Sequence, residues 1–333
     1  MKTRRILMLL ALGVALLAAI VIVATCRNEE LPGELRPGSG SWLPFVHRDL
    51  VGMSSFIRIE MGQWSYDSRK IVFGRKETLS TSWLIIGAAP FLGSGGGGEK
   101  KMTVKNEVMV YDVSDGTHGP LAEGSFSFLV PGRPVIVYRT SDKVGGRQFH
   151  VFNWETGKSI GAGVLCDERP EPSPDGRYLA FFGSQNTLYL AILDQEGILV
   201  NLSEKMDPLL RDSAFRSYGT GWGVDGALYV RVNDTSDTYK LNMDDMSFTK
   251  MEKYPVFYMP PWIVLAPGVA VKSPDGKYGF RMDRVAKNYT RGKSKAGPIE
   301  VNTNIENLTL IGPDGTEKQI TDNRIPDVMA PKK

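Results

Sequence analysis

Ser173-Pro174-Asp175-Gly176-Arg177-Tyr178 reappears further along the chain as Ser273-Pro274-Asp275-Gly276-Lys277-Tyr278. In each copy Pro presets the first turn torsion, Asp accepts bonds from the backbone just beyond it, and Gly takes the positive φ that other residues resist. The hexapeptide therefore predicts a tight hairpin turn that feeds a strand. A turn repeated together with its strand means that the chain is assembled from copies of one unit.

Three weaker copies can be traced from what flanks the turn. Trp64-Ser65-Tyr66-Asp67-Ser68 leads into Ile71-Val72-Phe73 and later Val108-Met109-Val110-Tyr111. Phe128-Leu129-Val130-Pro131-Gly132 leads into Val135-Ile136-Val137-Tyr138, and Trp222-Gly223-Val224-Asp225-Gly226 into Leu228-Tyr229-Val230. Each unit then closes through a second polar turn: Asp115-Gly116, Glu155-Thr156-Gly157, Glu196-Gly197, Asp244-Asp245 and Asp314-Gly315. A spacing of roughly 40 to 50 residues, counted without a long insertion in the first unit, belongs to four-stranded propeller blades. The expected fold class is all-β, a β-propeller of about five blades, with six as the alternative. Trp42 to Met61, which includes Phe56-Ile57-Arg58-Ile59, is the available strand for joining the first unit to the last.

Ser-Pro-Asp-Gly, an aromatic-rich strand, a Tyr-containing strand, then Asp-Gly and a closing Leu/Ile-Ser/Thr together resemble the repeat of TolB-like propellers, the PD40 or WD40-like repeat. The resemblance is fullest from Ser173 to Ser203 and from Ser273 to Thr321 and extends over nearly all of the chain beyond about residue 55. It implies an extracytoplasmic docking surface, or an accessory domain of the kind carried by peptidases. A superfold of this sort hosts many unrelated activities.

Lys2, Arg4 and Arg5 precede Ile6 to Thr25, about twenty residues without a charge. Such a stretch is long enough to cross a bilayer as one helix, and the basic residues before it put that end in the cytoplasm. The expected organisation is a cytoplasmic stretch at 1–5, a transmembrane anchor or signal helix at 6–25, a Pro/Gly-rich flexible linker at 26–41, and the propeller at 42–333. An uncleaved anchor, a cleaved signal and a lipoprotein lipidated at Cys26 all send the propeller to the periplasmic or extracellular side.

The formal net charge of +3 is too small to point to nucleic acid. The two cysteines, Cys26 and Cys166, lie in different contexts, so Cys166 is read as a small buried hydrophobe rather than half of a bridge. His47, His118 and His150 are the only histidines and lie far apart, which leaves no metal or cofactor site to expect. Gly157-Lys158-Ser159-Ile160-Gly161 spells a nucleophile elbow but falls where a hairpin is expected. Asn201, Asn233, Asn288 and Asn307 head glycosylation-type triplets, read as chance in a chain with a bacterial-type start and repeat.

The two large insertions carry more functional information than the repeats. Both fall between the second and third strands of a unit, on the face opposite the Ser-Pro-Asp-Gly turns. One runs from about Glu77 to Lys105 and contains Trp83, Leu84, Ile85, Phe91 and Leu92 with Gly95 to Gly98; the other runs from about Arg284 to Asn304 and contains Lys287, Arg291, Lys293 and Lys295. If the first and fifth units are neighbours, an apolar loop and a basic loop rise side by side. They form a candidate docking site for a protein or envelope component. The plainer reading is that Trp83 to Leu92 extends two strands and the lysines are solvated. A propeller glycosidase would need two carboxylates over the central channel. Glu60 is the only one in the recognisable inner strands, with Asp49, Glu171 and Asp212 as loop candidates. The reading from sequence is a membrane-tethered, non-catalytic propeller that binds another macromolecule; a glycosidase- or lactonase-like enzyme and a structural envelope subunit are the alternatives.

Overall fold

A computed structural model of the chain describes residues 46–87, 97–141, 147–166, 169–183, 188–194, 199–205, 218–232, 237–245, 247–259, 262–264, 266–294 and 297–324. Among these residues every regular element is a strand. The expected anchor at 6–25, the linker at 26–41 and Cys26 lie outside them. No helix of the described residues is long and apolar enough to cross a membrane.

The first unit comprises β1 (Val46–Trp64), β2 (Lys70–Gly87), β3 (Gly97–Asp112) and β4 (His118–Glu123). The second comprises β5 (Ser125–Leu129), β6 (Val135–Ser141), β7 (Arg147–Asn153) and β8 (Ser159–Leu165). The third comprises β9 (Glu171–Pro172), β10 (Tyr178–Phe182), β11 (Leu188–Leu193) and β12 (Leu199–Lys205); the fourth, β13 (Tyr218–Trp222), β14 (Leu228–Val232), β15 (Thr238–Leu241) and β16 (Phe248–Lys250). The chain ends with β17 (Ile263–Val264), β18 (Ala270–Lys272), β19 (Gly279–Ser294), β20 (Gly297–Ile311) and β21 (Glu317–Gln319). Units two, three and four are separate four-stranded antiparallel meanders, whereas the first and last groups merge into one nine-stranded sheet.

The predicted turns explain the meanders. In the two intact copies the Ser hydroxyl donates to the Asp carboxylate at 2.6 Å and accepts the Tyr N–H, at 2.9 Å in one and 3.0 Å in the other. The same Asp oxygen accepts the N–H of Arg177 or Lys277, and Gly176 and Gly276 sit at φ of 68° and 73°. Ser65 and Asp67 repeat the bonding, but Ser68 stands where the others have Gly and still adopts φ 62°. Its hydroxyl accepts the N–H of Asp275 at 3.0 Å, tying the turn of the first unit to that of the last.

Alternate strand residues face neighbouring sheets, and these faces are dry. Val72 and Val108 of the first unit meet Phe126, Leu129 and Ile136 of the second. Val137, Phe149 and Val151 then meet Leu179, Phe181 and Ala191, with the Phe149 and Phe181 rings edge to face at 4.6 Å. Ala180 and Leu190 meet Trp222, Leu228 and Val230. Trp64, Ile71 and Phe73 pack on Phe280, Met282, Leu308 and Leu310 of the last group. Each fully buried large side chain contributes about 1.5–3 kcal/mol by leaving water. Four-stranded meanders stacked face to face in chain order, with β1, β5, β9 and β13 adjacent at the centre, make the arrangement a β-propeller.

The segment after β16 lines the centre. Val256 and Tyr258 exchange backbone bonds with Val224 and Trp222 of unit four, and Trp262 and β17 bond to Trp64 and to Gly62 and Gln63 of β1. The stretch from Ile263 to Lys272 is thus divided into β17 and β18, and β17 pairs with unit one.

Candidate functional site: a five-stranded arm and a central cavity

The two insertions are not loops in their described parts. They continue β2, β3, β19 and β20 outward from the propeller, away from the Ser-Pro-Asp-Gly turns, with β1 between them. Gly52 to Ile57 of β1 run parallel to Glu300 to Ile305 of β20, while β1–β2, β2–β3 and β19–β20 are antiparallel. The result is an arm in the order β19-β20-β1-β2-β3. The strand expected to join first and last units does so, by adding to the side of β20.

The ladder between β1 and β20 stops at Ile57, and a carboxylate replaces it. Glu306 is 3% exposed; its Oε2 accepts the N–H of Ile59 at 2.8 Å and its Oε1 accepts the Arg284 Nε–H at 3.0 Å. Asn323 donates to the Glu306 carbonyl at 2.7 Å and accepts from Arg75, which also pairs with Glu77 and Glu107. A buried backbone N–H without an acceptor is costly, so Glu306 both satisfies the chain and pins the root of the arm.

One face of the arm is apolar and covered. Leu50, Met53, Leu79, Trp83 and Val301 are buried together, with Met102, Tyr289 and Ile299 packed against them. Trp83 is 4% exposed and its indole N–H donates to Thr81 at 2.9 Å, so it packs the arm instead of standing out from it. Leu84 and Ile85 are paired to Asp49 and Arg48 in the β1–β2 ladder. Phe91, Leu92 and Lys295 lie outside the described residues. Lys287, Arg291 and Lys293 fall on β19, an outer strand of the arm. β18 pairs with β19 only at Gly279 to Arg281, so among the described residues no strand flanks the outer side of Asp283 to Ser294. Lys287 and Lys293 are exposed, and among the described residues neither has a carboxylate within ion-pair distance. The opposite edge, along Gly97 to Lys105 of β3, is also open, because β4 begins pairing only at Glu107; there Lys101 is paired with Glu99 at 3.4 Å.

The second feature lies at the centre, where the enzyme alternative would have its site. A cavity of about 140 Å³ at the centre is lined by Met61, Phe128, Glu171, Pro172, Trp222, Tyr258, Met259 and Ile263. β1, β5, β9, β13 and β17 each contribute. Glu171, expected on a loop, lies on the inner strand β9. Glu60 does not line the cavity and faces Lys76 at 3.9 Å. Met61 does, because a bulge between Glu60 and Gly62 puts it at φ 53° and turns its side chain inward. Among the described residues the wall therefore presents one carboxylate, and no group of three or more His, Cys, Asp and Glu is gathered for a metal. Ser159 opens strand β8 after the Gly157 hairpin and has no helix behind it, so it lacks the setting of a nucleophile elbow.

No family model matches the chain, and no curated protein does. Solved structures do. The chain is similar to TolB from Acinetobacter baumannii, at 14% identity and a TM-score of 0.34 over 78% of this chain and 53% of that one. It is similar to the β-propeller domain of the Trilobed protease from Pyrococcus furiosus, at 14% identity and a TM-score of 0.40 over 82% of this chain and 99% of that one. It is also similar to the acylaminoacyl peptidase of Pyrococcus horikoshii, at 14% identity and a TM-score of 0.41 over 80% and 53%. The chain thus spans about half the length of the TolB and peptidase chains. TolB and a peptidase stand together among these structures, and they assign no activity.

Proposed function

We propose that this chain is a non-catalytic binding module: a propeller of five blades, the first and fifth merged through the arm, held on the extracytoplasmic side by its N-terminal segment. It docks an extended, acidic segment of a partner protein along the outer edge of β19. The observation that carries this reading is that, among the described residues, the edge from Asp283 to Ser294 is open and Lys287 and Lys293 are exposed without counter-charge. An open strand presents a row of backbone donors and acceptors that an extended peptide satisfies by adding a strand. Lysines on such an edge oppose pairing with a second copy, where like charges would meet, and favour an acidic strand. The enzyme reading is weaker because, among the described residues, a two-carboxylate mechanism has only Glu171 at the cavity wall.

The test is fluorescence anisotropy with a labelled ten-residue peptide alternating Glu and Val, titrated with the full chain. Binding should weaken with added salt and fall by about ten-fold or more in the Lys287→Glu, Lys293→Glu variant. Equal binding by that variant, or equal binding of a Lys/Val peptide, would refute the proposal.

A further inference from the structure

Three arginines converge beside the central cavity, on the side away from the Ser-Pro-Asp-Gly turns. Arg139 and Arg147 come from the paired strands β6 and β7, where Arg139 faces Phe149 and Arg147 faces Ser141. Both therefore stand on the face that lower down forms the core between units two and three. Arg169 enters from the connection into β9, and its guanidinium lies 3.5 Å from the Met61 sulfur at the cavity wall. Arg139 also pairs with Ser125 at the start of β5, the strand whose Phe128 lines the same cavity.

Among the described residues none of the three has a carboxylate within ion-pair distance, and the Arg139 Nε–H is buried without an acceptor. Burial first, then the neighbouring Arg169 and Arg147, disfavour the charged form of Arg139, and Cys166 and Glu60 offset this only in part. A guanidinium cannot shed its proton at ordinary pH, so crowding it without a partner is a cost that an incoming anion removes. The cavity below is walled mostly by Met61, Phe128, Trp222, Tyr258 and Ile263 and is close in volume to one that holds benzene. The arginines stand at the outer side of that largely apolar wall, so an anionic head would point outward, toward them.

We propose that the channel mouth binds a small amphipathic carboxylate, its apolar ring in the cavity and its carboxylate on Arg139 and Arg169. This site is separate from the arm and does not depend on the docking proposed there.

Isothermal titration of the full chain with benzoate, benzamide and inorganic phosphate tests it. Benzoate should bind saturably, with benzamide and phosphate each at least about ten-fold weaker, since one lacks the charge and the other the ring. Arg169→Gln should weaken benzoate by about ten-fold while leaving the melting temperature near that of the parent, and Arg139→Gln should do the same where it folds. Absence of saturable benzoate binding, benzamide or phosphate binding as tight as benzoate, or unchanged affinity in Arg169→Gln would each overturn the proposal.

Discussion

Ser68 shows how a single side chain changes the meaning of a repeated turn. A non-glycine residue in the left-handed region is strained by about 1–2 kcal/mol, and here the hydroxyl offsets that by accepting Asp275 N–H at 3.0 Å. Ser68→Ala keeps the strain and removes the acceptor, so it should destabilise the chain by about 1–2 kcal/mol in chemical denaturation. Ser68→Gly loses the bond but also the strain and should cost less. His150 gives a pH signature. Its ring stacks on Tyr138 at 5.1 Å and bonds to Thr140 at 3.0 Å, and burial lowers its pKa from the ordinary 6.5. The unfolded chain therefore binds the proton more readily, and the stability that the neutral ring contributes is present above pH 6.5 and lost as pH falls through the folded value. Denaturation midpoints should decline as pH falls below 6.5 in the parent. His150→Gln should flatten that part of the profile.

At the scale of elements, the short-range chemistry was legible and the long-range pairing was not. Ser, Asp and Gly in Ser-Pro-Asp-Gly bond within a few residues, so the turn and its hairpin could be read from the letters alone. The arm depends on β1 meeting β20 in parallel, as Met53 with Val301, and no local pattern encodes a partner so distant in sequence. Its strands also mix Gly, Ser and Lys with apolar residues, which reads as loop until a neighbour satisfies the backbone. Trp83 then changes from an apparent docking residue into the centre of a small core. Glu171 reads as a loop residue because its strand is only 2 residues long, and the arginines escape notice because they come from three separate elements. The root of the arm supplies a direct check. Glu306→Ala leaves the Ile59 N–H without its acceptor and removes the partner of the half-exposed Arg284, and should cost about 1–3 kcal/mol, the range for a buried polar group left unsatisfied. Glu306→Gln retains an oxygen for Ile59 and should cost clearly less. Equal losses in the two variants would show that the charge toward Arg284 carries the effect and that the acceptor for Ile59 contributes nothing.

For the molecule as a whole, the turns lie on one side and both proposed binding features on the other. The arm leaves the propeller through the merged sheet, and the arginine cluster stands beside the central cavity. The repeats supply the frame, and the departures from repetition carry both proposed binding features. The most direct test of the docking account is hydrogen exchange on the full chain with and without the Glu/Val peptide. The account predicts slowed exchange of amides between Asp283 and Ser294, with the Gly97 to Lys105 edge of β3 unchanged. No protection on β19, or equal protection on both edges, would contradict it.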